Sequence, residues 1–133
     1  MLGGARQGLL ARWRAGESDS ETLLRLLFLE WYSCSEPGFL TGLGEPSLER
    51  HIFEELVEQL GGAGTEEPEV LFVIGYMAEQ FPWCCGAEER WAAFGRRLSV
   101  RYRELPTERR MTPEHFRGKG AFGQYFAHII RQA

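Results

Sequence analysis

The chain has 133 residues, 44% of them hydrophobic and 26% charged, with a net charge of −4 and a pI near 5.4. This balance excludes a wholly disordered chain and a general nucleic-acid binder, and no apolar run reaches the roughly 18 residues that a membrane span requires. The length fits one domain, residues 1–133, whose core needs no disulfide or metal staple to be stable.

The first stretch, MLGGARQGLLARWRAG, predicts an amphipathic helix with Leu9, Leu10 and Trp13 facing inward. Its arginines and lack of early acids resemble a mitochondrial presequence in composition only, and no signal-peptide core is present. In SDSETLLRLLFLEWYSCSEPG, Ser18 or Ser20 is placed to cap a second helix, and Pro37 and Gly38 to end it. Apolar residues from Leu23 to Tyr32 cover nearly every face, the pattern of a central, buried helix.

A glycine-rich loop follows, and Ser47 then opens SLERHIFEELVEQLGG. Leu48, Ile52, Phe53, Leu56, Val57 and Leu60 share one side of the wheel, and Gly61 and Gly62 stop the helix. The run Val70–Met77 has the composition of a buried strand. The acids and Pro68 before it and Pro82 after it make it a helix instead. In AEERWAAFGRRLSVRYREL, Trp91, Phe94, Leu98, Tyr102 and Leu105 recur at helical spacing. Thr112-Pro113-Glu114 marks another helix start, and Phe122, Tyr125, Phe126, Ile129 and Ile130 form a last stripe. The expected fold is all-α, a single-domain bundle of about six helices, mainly antiparallel and up-and-down.

Charge is segregated along the chain. Glu45, Glu49, Glu54, Glu55, Glu58, Glu66, Glu67 and Glu69 stand against Arg50 alone, whereas bases dominate from Arg90 to Lys119. Two solvated faces that attract each other within the fold are one outcome; an acidic strip that meets a basic partner is the other. GKGAFG, residues 118–123, has the glycine spacing of a phosphate-covering kinase loop. The short stretch after Gly123 leaves no room for the rest of a kinase, and no βαβ unit surrounds the motif. What survives is an anion site at a helix start, with Arg117 and Lys119 beside it.

Three cysteines, an odd count without a secretory pattern, predict a reducing, cytoplasmic setting. The chain lacks zinc-type spacing and every common nucleophile motif, so no metal or cofactor is assigned and the reading leans away from an enzyme. In an up-and-down bundle, however, Cys34, Cys84 and Cys85 fall at one end, with His51 and His128. Phe39, Leu40 and Trp83 lie at the same end, as a plug or as an exposed patch.

These features point to a small soluble protein that binds another protein. It would be an inhibitor or immunity-type molecule that neutralises a toxin or enzyme with a basic surface. The expected contacts are Glu49, Glu54, Glu55 and Glu58 on the acidic face, and Phe39, Leu40 and Trp83 at the loop end. Nucleic-acid and membrane partners are not expected. The alternatives are a metal- or thiol-dependent enzyme or redox protein using Cys34, Cys84, Cys85 and His51 or His128, and a small-ligand or anion binder using Arg117 and Lys119.

Overall fold

The apolar stripes become helices wherever the structure, a computed structural model, describes the chain, which is over residues 2–35 and 52–132. Six α-helices lie within those limits: α1 Leu2–Arg14, α2 Ser20–Ser35, α3 Ile52–Gln59, α4 Pro68–Gln80, α5 Glu88–Arg103 and α6 Gly120–Gln132. Short 3-10 turns lie between α3 and α4, between α4 and α5 and between α5 and α6, and no strand occurs among the described residues. The protein is an all-α bundle. The opening turn expected after Ser47 lies outside the described residues.

The centre is α2. Leu23, Leu24, Leu26, Leu27, Phe28, Leu29 and Trp31 are all buried, as a helix apolar on every face requires. Asp19 caps this helix, in place of either neighbouring serine. The Thr22 amide donates to its Oδ2 at 3.0 Å and the Thr22 hydroxyl to its Oδ1 at 2.8 Å. The two Thr22 hydrogen bonds, the backbone one first, hold the Asp19 carboxyl below its usual range, because both favour the charged form. Further along, Trp31 is fully buried, and its indole Nε1–H donates to the Met77 carbonyl of α4 at 3.0 Å.

The Val70–Met77 run is helix, as its flanks predict, and Pro68 occupies the first turn, where a missing N–H does no harm. Its closest neighbour is α5. A Cβ placed on Gly95 would lie 2.7 Å from the Glu79 amide nitrogen, and one on Gly75 would lie 2.8 Å from the Ser99 hydroxyl. The two helices therefore touch backbone to backbone, and glycine is what permits it. Residue 75 faces 98–99 and residue 78 faces 95, so the pair is antiparallel.

Other contacts give the remaining directions. Trp13, at the end of α1, bonds Gln59 at the end of α3. Glu54 of α3 pairs with Arg90 near the start of α5, and Ala63, beyond α3, receives Arg101 near the end of α5. Thus α3 and α5 run parallel and α4 runs against them; the Cys34–Cys84 bond sets the end of α2 beside the end of α4, and the Lys119–Glu69 pair sets the start of α6 beside the start of α4, the alternation expected of an up-and-down bundle. On the α5 stripe, Trp91 and Leu98 are buried while Phe94 and Tyr102 are half-buried. Trp91 meets Phe53 edge-on, with ring centroids 5.3 Å apart.

The last helix begins later than Thr112-Pro113-Glu114 suggests. That tripeptide opens a single 3-10 turn, Pro113–Phe116, and α6 starts at Gly120. In this position Phe116 and Phe126 are both fully buried, with ring centroids 5.9 Å apart. No helix among the described residues is long and apolar enough to cross a membrane.

Candidate functional site

Three places on the molecule hold the side chains that the sequence singles out. The first is the end where α2 and α4 finish. Cys34, in the last turn of α2, is disulfide-bonded to Cys84 in the Pro82–Cys84 turn, with the Cα atoms 5.6 Å apart. Cys34 is exposed and Cys84 half-buried. Cys85 differs from both. It is a free thiol, only 5% exposed, and burial pushes its pKa well above the usual thiol range. The odd cysteine count thus resolves into one bonded pair and one buried singleton, a division that the reducing-compartment reading did not include.

Topology does bring Cys34 to Cys84, as the bundle argument predicts. It does not make a three-thiol site, because Cys85 belongs to the core and the other two sulfurs are bonded to each other. Among the described residues, no group of three or more His, Cys, Asp or Glu side chains is arranged to hold a metal ion. His128 is exposed in the last turn but one of α6, and His51 lies outside the described residues. So do Phe39, Leu40 and Glu49. Trp83, between Pro82 and the disulfide, is 54% exposed, and its ring stands edge-on to Phe81 at 5.3 Å.

The second place is the acidic face of α3. Glu54, Glu55 and Glu58 are all exposed. Glu54 pairs with Arg90 of α5 at 2.5 Å, which raises the Arg90 pKa through the hydrogen bond and the carboxylate charge. Here the acidic and basic segments do attract each other within the fold. Beside this pair runs a groove of about 570 Å³ between α3 and α5. Val57, Trp91 and Phe94 line its apolar part, Glu58 and Arg97 its polar part, and Gly62 and Ala63 one end. Glu55 and Glu58 form no ion pair among the described residues.

The third place is GKGAFG, whose spacing has a steric explanation. Gly118 and Gly120 hold φ values of +77° and +64°, a region that favours glycine. Gly123 passes so close to the Phe116 carbonyl that a side chain there would collide with it. Lys119 is committed as well. Its ammonium lies 3.3 Å from Glu69 Oε1, and His115 Nε2 lies 2.6 Å from the same oxygen. The loop fastens the start of α6 to the first turn of α4. An anion approaching Lys119 there meets the Glu69 carboxylate; Arg117 is exposed beside it.

Arg101 is a residue that charge counting alone does not pick out. Its guanidinium donates to the Ala63 carbonyl at 2.5 Å and to the Thr65 carbonyl, so this member of the basic block supports the α3–α4 connection. Compared with known proteins, the chain matches no family model, no curated relative and no solved structure.

Proposed function

We propose that the protein acts by binding another protein, with Trp83 as its central contact and the exposed acids of α3 as a charged second contact. The observation that carries this reading is Trp83: a large aromatic, more than half exposed, braced by Phe81 and next to a disulfide. An exposed tryptophan on a fixed backbone loses little entropy when covered, which is why such residues dominate binding energy at interfaces. Glu55 and Glu58 would steer a basic partner toward α3. An inhibitor or immunity-type protein that covers a toxin or enzyme is the concrete form of this proposal. A cytoplasmic site of action would place the Cys34–Cys84 bond in a reducing medium.

The test compares the wild-type protein with Trp83→Ala and with Glu55→Lys/Glu58→Lys as baits in extracts of the source cells. The proposal expects a partner retained by the wild type, lost by at least roughly tenfold with Trp83→Ala and weakened in a salt-dependent way by the charge reversals. Equal recovery with all three baits, each shown by circular dichroism to be folded, sinks it. The rival, a metal- or thiol-dependent catalyst using Cys34, Cys84, Cys85 and a histidine, is favoured by the meeting of Cys34 and Cys84. The burial of Cys85 weighs against it.

A further inference from the structure

We infer that the Cys34–Cys84 disulfide is a site of thiol–disulfide exchange, opened in the folded protein by a dithiol reductant that attacks Cys34. This inference is independent of the partner proposed above. Two observations and one rule of disulfide chemistry support it. Cys34 is exposed and Cys84 half-buried, so an incoming thiolate has access to the bond from the Cys34 side. The approach to a disulfide is along the S–S axis, so access at Cys34 also fixes Cys84 as the leaving group. Finally, the remaining cysteine takes no part: Cys85 is buried in the core with its thiol held protonated, and a protonated thiol is not a nucleophile.

The exchange balances as follows. One thiolate of the reductant forms a bond to Cys34 Sγ; the Cys34–Cys84 bond breaks, and Cys84 leaves as a thiolate that takes a proton from water. The reductant's second thiol loses its proton to water, and the thiolate attacks the reductant's own sulfur in the mixed disulfide. It closes the reductant's disulfide and releases Cys34, which is protonated in turn. Two electrons and two protons pass to the protein.

The fold does not depend on the bond alone at this end. Neither the Trp31 hydrogen bond to the Met77 carbonyl nor the α4–α5 seam at Gly75 and Gly95 runs through the disulfide. Opening the bond therefore frees the last turn of α2 from the turn that carries Trp83 and leaves the rest of the bundle in place. A site of this kind would let the redox state of the surroundings set how firmly that end is held.

The experiment treats the purified, air-oxidised protein with dithiothreitol in native buffer, alkylates the thiols at intervals and counts the labels by mass spectrometry. Two labels, on Cys34 and Cys84, are expected while far-ultraviolet circular dichroism stays unchanged. Cys85 should be labelled at least ~10-fold more slowly until denaturant is added. A monothiol such as glutathione, quenched early, should leave its adduct on Cys34. Cys85→Ser should change neither the rate nor the site of the adduct. A bond that resists dithiothreitol until the protein unfolds, three cysteines that react together, or an adduct on Cys84 would each overturn the inference. So would a protein that still shows three free thiols after treatment with oxidised glutathione.

Discussion

Two connections in this protein bring distant segments together by opposite means. Along α4 and α5 the chain removes side chains: Gly75 and Gly95 let the two helices approach closely at points about one turn apart. At the ends of α2 and α4 it adds a covalent bond, Cys34–Cys84, across 50 residues of sequence. The first connection acts only in the folded state, where packing density decides its strength. The second also acts on the unfolded chain, by removing conformations that an open loop would sample. A stability measurement therefore responds to the two differently, and substitutions separate them.

The largest effect is expected from breaking the covalent connection. Closing a 50-residue loop is worth about 4 kcal/mol in the chain-entropy description, so Cys34→Ser/Cys84→Ser should lose about that much in a denaturant titration. Reduction of the wild type should give the same loss, and the double variant should then be indifferent to reductant.

Next comes the seam. Gly95→Ala puts a methyl group against the Ala78–Glu79 backbone, and overpacking of this kind costs ~1–3 kcal/mol even though alanine is the better helix former. Its control is Gly8→Ala in α1, where nothing lies within 4 Å of the new Cβ. That variant should gain up to about 1 kcal/mol. Opposite signs for one chemical change would show that contact, and not helix propensity, controls the seam; a gain at Gly95 would break the comparison.

Trp31→Phe keeps most of the apolar volume but removes the bond to the Met77 carbonyl, for a loss of about 1–2 kcal/mol in the same titration. The smallest effect concerns pH. Asp19 has its pKa lowered in the folded state by its bonds to Thr22, so it stabilises the fold above the ordinary carboxylate pKa. That contribution is lost as pH falls through the lowered value. Asp19→Ala should have a slightly lower melting temperature than the wild type at neutral pH, and the gap should close as the solution is acidified.

Much of the fold is legible from the spacing of large apolar residues. The α5 stripe reads correctly because residues three and four apart must share a face, whatever the rest of the chain does. The Val70–Met77 run needs its prolines to be read as helix, since composition alone fits a strand. The site is harder to read. Cys34 and Cys84 reach one end through the topology, but whether two thiols at one end bond depends on where a turn places its Cβ atoms within an ångström or so. Local pattern carries no information at that scale.

GKGAFG is hard to read for a related reason. A glycine spacing records where side chains are not allowed, and the obstacle here is the protein's own Phe116 carbonyl, where a nucleotide loop would have a phosphate. The charge reading was half resolved: Glu54 turns to Arg90, while Glu55 and Glu58 remain directed to solvent.

The glycine seam also bears on how constraint in this sequence should be weighed. Gly95 and Gly123 stand where another piece of backbone takes the space of a side chain, and Gly75 where the Ser99 hydroxyl and amide do. In an alignment of relatives, invariance at those three columns would measure how closely two segments pass and would say nothing of a partner or a substrate. Trp83, Glu55 and Glu58 have no such duty toward the interior. If they too resisted drift, the pressure would have to come from outside the molecule.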